Sequence, residues 1–149
     1  MGWLPSVSRL VTASVALTTH SPNNTVIEQW GTEEAVIAQA DAPVSAVVVA
    51  WLTGSAGAGP GTPALGDRGE VRLEVSFDGG STFATLGDAG VLSTIVSTNA
   101  GTRSGISATG RATGTVTGDI QVRAMCRDID QANDFTFADG IIVAMVLPQ

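Results

Sequence analysis

Glu70-Val71-Arg72-Leu73-Glu74-Val75-Ser76-Phe77 alternates a polar or charged residue with an apolar one along its whole length. Successive side chains of a strand point to opposite faces, so the stretch predicts a β-strand with one wet face and one dry face. Residues 119–127 repeat the pattern, with Ile120, Val122, Ala124 and Cys126 on one side and Gln121, Arg123, Met125 and Arg127 on the other. Cys126 therefore reads as a small inward residue. It is the only cysteine, so no internal disulfide staples the chain and stability must come from packing.

Two further segments break the one-wet-face rule. Residues 44–52 (VSAVVVAWL) and 141–147 (IIVAMVL) are apolar on both faces. Antiparallel sheets ordinarily leave one side in water, so such strands need a second cover: another layer, a loop or another subunit. Residues 11–19, 24–30, 34–40, 91–98 and 113–118 complete the strand candidates. Short strands punctuated by turn residues at this spacing predict an all-β fold, an antiparallel β-sandwich or jelly roll of about eight strands. Two stretches read as connections. Residues 54–66 (GSAGAGPGTPALG) suit a long surface loop, and residues 99–114, repeating Gly and Thr, suit a flexible hairpin or link.

The chain has 149 residues, enough for one domain with its own core. We read residues 10–149 as a single sandwich preceded by an extended arm, residues 1–9. Trp3, Leu4 and Pro5 make that arm costly to leave in water; it either folds back over its own sandwich or docks on a neighbour. Residues 10–17 resemble a signal-peptide core only superficially, because Thr12 and Ser14 interrupt it and no small-residue cleavage site follows. No run is long and apolar enough to cross a bilayer as a helix, and no membrane partner is expected.

Charge removes other classes. The net charge is −7, and the basic residues are seven scattered arginines with no lysine. Phosphate backbones demand a basic stripe, so no nucleic-acid partner is expected. Without Lys there is no phosphate-loop lysine or Schiff base, and without Tyr no phenolic acid. His20, the single histidine, sits in a polar turn and reads as an exposed side chain rather than a general base. No nucleophile elbow occurs, and Gly59-Pro60-Gly61-Thr62-Pro63-Ala64 matches a dinucleotide fingerprint only formally, since it holds two prolines and no helix is expected after it. The expectation is a non-enzymatic chain without a cofactor.

Two loop motifs remain. Ser76-Phe77-Asp78-Gly79-Gly80-Ser81-Thr82-Phe83 has the spacing Ser-x-Asp-x-Gly-x-Thr-aromatic. Its physical content is a turn: Asp78 accepts backbone N–H bonds, Gly79 and Gly80 permit positive φ, and Phe83 pins the returning strand. Over these eight residues the chain resembles the Asp-box of sialidase-type repeat proteins, where the motif is structural; we assign Ser76, Asp78, Gly80, Thr82 and Phe83 to a structural turn. Asp128, Asp130 and Asp134 gather carboxylates in one loop, a weak calcium candidate, since carboxylates are hard ligands. Ala132 and Asn133 stand where a helical calcium loop has a ligand and its turn glycine, so a solvated loop without metal is the preferred reading.

Taken whole, the acidic, Gly-, Ala- and Thr-rich chain with surplus apolar strands resembles the small β-sandwich proteins of tailed bacteriophages that decorate heads, form head fibres or attach to tails. That resemblance implies a virion structural protein that cements an assembly by burying apolar surface against copies of itself, as a homo-oligomer expected to be a trimer, and against other virion proteins such as the major capsid protein. Trp3, Leu4, Pro5, Trp51, Met145 and Leu147 are the candidate contact residues. The alternative is a carbohydrate-binding or host-adhesion module, presenting Trp30 or Trp51 to a glycan; three Trp and no Tyr give it a thin platform.

Overall fold

The computed structural model describes residues 10–23, 25–87, 90–99, 101–130 and 134–147. Ten strand segments run through them: β1 Val11–Ala16, β2 Glu28–Gln29, β3 Ala35–Ile37, β4 Ser45–Ala58, β5 Arg68–Ser76, β6 Ala84–Thr85, β7 Val91–Thr94, β8 Arg103–Thr115, β9 Ile120–Asp128 and β10 Phe135–Leu147. The helical structure among the described residues is one 3-10 turn, Gln39–Asp41.

The strands wind into two antiparallel sheets. One has the order β1-β10-β4-β8; in the other β9 and β5 form the centre, β2 and β3 both pair with β9, and β6 and β7 both pair with β5. The segments thus fill eight strand positions, as the turn spacing predicts, in an antiparallel β-sandwich wound as a jelly roll. The core lies between the sheets. From the first come Val48, Ala50, Leu52, Ile142, Ala144 and Val146; from the second come Val71, Leu73, Val75, Val122, Ala124 and Cys126. These are the inward members of the period-two patterns. Burial pushes the Cys126 thiol far up from its ordinary range, so it stays protonated and unreactive.

Trp30 anchors one end of the core. Its ring is fully buried, meets Phe137 at 5.4 Å between centroids and donates its indole N–H to the Thr18 carbonyl at 2.9 Å. Room for it comes from Gly54 and Gly140: a Cβ at either position would stand within 3 Å of the indole. Phe135 and Phe137 press on Gly69 in the same way, where a Cβ would lie 2.7 Å from the Phe135 ring.

Three sequence expectations change. The supposed loop at 54–66 is strand as far as Ala58, because the small residues let two neighbours close in: Gly54 to Gly57 pairs with β8 on one side, and Ser55 to Ala58 with β10 on the other. The loop proper begins at Gly59. Most of the supposed flexible link at 99–114 is β8, with Ile106, Ala108 and Ala112 turned inward and Gly110 lying against the Leu86 carbonyl. His20 is not an exposed turn residue. It pairs with Phe137 across an isolated bridge and its Nε2 lies 2.7 Å from Glu28 Oε1 in a half-buried pair.

β10 begins six residues before the stretch legible in the sequence. A bulge between Ala138 and Ile141, with Asp139 at a φ of 54°, inserts one extra residue opposite β4. The insertion switches parity, so Phe135 and Phe137 face the core before it and Ile142, Ala144 and Val146 face the core after it.

Candidate functional site

Strand geometry fixes what the first sheet shows to the outside. If Ala46, Val48, Ala50 and Leu52 of β4 point inward, then Val47, Val49 and Trp51 must point outward. By the same alternation Ile141, Val143, Met145 and Leu147 of β10 point outward opposite the inward Ile142, Ala144 and Val146. The register sets these side chains beside one another: Trp51 opposite Val143, Val49 opposite Met145 and Val47 opposite Leu147. The result is an apolar stripe two strands wide along the middle of a four-stranded sheet.

Its borders are uncharged or nearly so. β1 contributes Thr12, Ser14 and Ala16, and β8 contributes Ser107, Thr109, Arg111, Thr113 and Thr115. No acid stands on these two border rows in a chain whose net charge is −7; the acid on this side is Asp139 of β10, exposed two residues before Ile141 and held by Ser55 and Arg103. Val47 is buried at 9% exposure, Val49, Trp51, Val143, Met145 and Leu147 have intermediate exposure, and Ile141 is 47% exposed. No described strand packs over the stripe; the strands that touch β4 and β10 are sheet neighbours or members of the sheet on the core side.

The opposite sheet solves the same problem with charge. Its outward rows on β5 and β9 carry Glu70, Arg72 and Glu74 against Arg127, Met125 and Arg123. Arg127 donates through Nε to Glu70 at 2.7 Å, Arg123 donates through Nε and Nη2 to Glu74 at 3.0 and 2.8 Å, and Arg72 donates to the other Glu74 oxygen at 2.7 Å. Glu74 is only 6% exposed, yet it keeps two arginine partners. The Arg123 guanidinium also lies 3.7 Å above the Phe83 ring.

Of the contact candidates read from the sequence, Trp51, Met145 and Leu147 meet on this one stripe. Trp3, Leu4 and Pro5 lie outside the described residues. Sequence reading missed Val47, Val49, Ile141 and Val143, although the doubly apolar strands carried the signal; what was lacking was the register that lines them up. Trp30, the other aromatic proposed for a glycan, is sealed in the core.

Ser76, Asp78, Gly80 and Thr82 come together as their spacing predicts, whereas Phe83, expected to pin the returning strand on the core, lies half-buried under the Arg123 guanidinium outside the core cluster. Ser76 Oγ donates to Asp78 at 2.6 Å and accepts from the Gly80 amide, while Asp78 accepts from the Thr82 amide and hydroxyl at 2.9 and 2.6 Å. The two hydroxyls hold the Asp78 carboxyl at about 2. Gly79 and Gly80 both adopt positive φ.

The three acids of the calcium candidate go to different partners. Asp130 pairs with Arg68, whose guanidinium holds its carboxyl below the ordinary carboxylate range. Asp128 is buried and accepts the amides of Asp134 and Phe135, and Asp134 accepts the Thr62 amide. They tie the 59–67 loop and the start of β10 to the sandwich. Among the described residues, no group of three or more His, Cys, Asp or Glu side chains is placed to hold a metal.

No protein-family model and no curated protein matches the chain. Among solved structures it is similar to that of the infectious bursal disease virus Gt strain, at 14% identity and TM-score 0.50, over 98% of this chain and 35% of the viral one. This chain thus spans about a third of the viral chain's length. It is also similar to the Eiger TNF structure from S. frugiperda, at 9% identity and TM-score 0.49 over 94% of both chains. A third is the CBM22-1 xylan-binding domain from Paenibacillus barcinonensis Xyn10C, at 9% identity and TM-score 0.42, over 92% of this chain and 98% of that one. The likeness to the viral structure is one of fold: an all-β sandwich.

Proposed function

We propose that this chain is a non-enzymatic structural protein of a virus particle, of the bacteriophage head-decoration, head-fibre or tail-attached kind, and that it assembles by burying the outer face of the β1-β10-β4-β8 sheet. The observation that carries the reading is the apolar stripe of Val49, Trp51, Ile141, Val143, Met145 and Leu147, continued by the buried Val47, on a sheet with no described layer over it. A small acidic body gains solubility from its charge and loses it by leaving such a stripe in water, so the stripe is accounted for by a partner that covers it. The partners are copies of this chain and other virion proteins, the major capsid protein among them. The shared sandwich fold of the infectious bursal disease virus structure is in keeping with this reading.

Two measurements test it. Immunogold labelling of purified particles with an antibody against the chain should decorate them, and bare particles would overturn the virion assignment. Sedimentation of the purified protein at micromolar concentration should show association that disappears in Trp51→Thr. An unchanged sedimentation profile in that variant would remove the stripe from the mechanism. The glycan-binding alternative loses its two-Trp platform because Trp30 is enclosed.

A further inference from the structure

On the reading above, the stripe needs an occupant, and three observations point to a second copy in one orientation. The first is the placing of the stripe. It occupies the two central strands of the four, β10 and β4, so a twofold axis parallel to the strands and passing between them lays β10 of each copy over β4 of the other, apolar on apolar.

The second is charge. Of the six arginines among the described residues, Arg68, Arg72, Arg103, Arg123 and Arg127 are ion-paired, whereas Arg111 has no ion-pair partner among the described residues. It is exposed on β8, one edge of the face. At the other edge, Asp41 closes the 3-10 turn beside β1 and lines a hollow with Leu10, Val11 and Thr12; it too lacks an ion-pair partner among the described residues.

The third is level. Thr12 pairs with Met145, Met145 with Val49, and Val49 with Arg111, so Arg111 ends the rung whose other end is Thr12, and Asp41 shares its hollow with Leu10, Val11 and Thr12 at that end of β1. A twofold axis along the strands keeps every rung at its level and exchanges the edges, which brings Arg111 of each copy to the Thr12–Asp41 edge of the other. An axis across the strands would instead set both β8 edges, each with its arginine, on one side.

We infer that the protein pairs face to face with a second copy about a twofold axis parallel to β4 and β10, its contact made by the apolar stripe and closed at both edges by Arg111 against Asp41 of the other copy. Aligned sheets pack within about 30° of each other, a tilt that moves the edges by only a few ångströms, within the reach of an arginine. The flat face, four strands about 4.8 Å apart and seven residues long, offers on the order of 400 Å² per copy. Two such faces fall below the usual total of about 1,200 Å² for stable complexes, so the pair forms at micromolar concentration and the edge charges contribute visibly. The trimer expected from the sequence would require this face to meet a different surface; a self-complementary face gives an isologous pair.

The test uses exposed positions that leave the core untouched. Ser14, Val143, Trp51 and Thr109 form the next rung, with Ser14 and Thr109 exposed at opposite edges. Ser14→Cys protein mixed with Thr109→Cys protein and a bifunctional thiol cross-linker of about 8 Å span, which bridges facing sheets about 10 Å apart where a direct disulfide does not reach, should form a mixed cross-linked dimer in preference to either homodimer. In sedimentation, Arg111→Asp or Asp41→Arg should each weaken the pair roughly tenfold, since each reversal acts at both edges, and the double variant should restore it. Association that needs Trp51 but gives Ser14–Ser14 cross-links, or ignores the charge reversals, overturns this arrangement and leaves the apolar-face reading standing. A monomer at high micromolar concentration overturns the self-pairing; if particles still label with antibody, the stripe serves another virion protein.

Discussion

The outer rows of β5 and β9 interleave Arg72, Arg123 and Arg127 with Glu70 and Glu74, whereas the outer rows of β4 and β10 hold Val47, Val49, Trp51, Ile141, Val143, Met145 and Leu147 with no charge between them. Both are centres of antiparallel sheets that bury one side on the same core. The first is finished against water: its carboxylates are screened by guanidinium groups, and each long stem covers apolar surface while its head stays wet. The second is finished only laterally, by its own neighbours. The difference teaches that a sheet's inner side is dictated by folding, while its outer side records what the chain meets afterwards.

The sharpest way to break this contrast compares adjacent residues of β4. Leu52→Ala, on the inner side, should lower the stability of the single subunit by about 2–5 kcal/mol, read from chemical denaturation, because it opens a cavity in a fully buried cluster. If it costs no more than its outward neighbour does, the assignment of faces is wrong. On the charged sheet, Glu74→Gln should cost about 1–3 kcal/mol, since it strips a screened carboxylate from two arginines and leaves them facing each other. A cost near zero would mean that the network is ordinary surface charge, worth little.

Acid sharpens the picture at the turn that ends β5. Asp78 titrates at about 2 when folded against an ordinary value of 3.8, so its stabilisation is complete above pH of about 4 and fades as the pH falls toward 2. The melting temperature should drop across that window, and Asp78→Asn should flatten the drop; an identical profile in the variant would detach the turn from acid sensitivity. The smallest effect on the isolated subunit belongs to Trp51→Thr, under about 1 kcal/mol, because the ring gains only cross-strand contact there. Its consequence should appear in association instead, as a loss of the concentration dependence of melting.

Much of this was legible in the residues. The alternation at 70–77 and 119–127 became β5 and β9 almost to the residue, and the Ser76 to Phe83 spacing became a hydrogen-bonded turn, because both signals are local. The misreadings share a cause. Glycine and alanine at 54–58 and 103–114 carry little propensity of their own, and they are strand because Trp30, Leu86 and Phe77 need close approach at Gly54, Gly110 and Gly114. The start of β10 was hidden by a bulge that shifts the period midway. For the site, two apolar strands 90 residues apart announced surplus hydrophobic surface, and Trp51, Met145 and Leu147 could be picked from them, but nothing in a linear sequence states that Trp51 sits opposite Val143.

By itself, then, the sequence determined the class of fold, the inward face of each regular strand, the local turn and the presence of more apolar strand than one core consumes, all of which follow from period-two patterning and short-range hydrogen bonding. Only the tertiary structure decided that β4 and β10 are neighbours in register, that glycine-rich segments extend the ladder and that Arg111 and Asp41 lie at opposite edges of one sheet. Those are long-range pairings, and a chain settles them by excluding water from both sheets at once, a condition that no stretch of residues can satisfy or reveal alone.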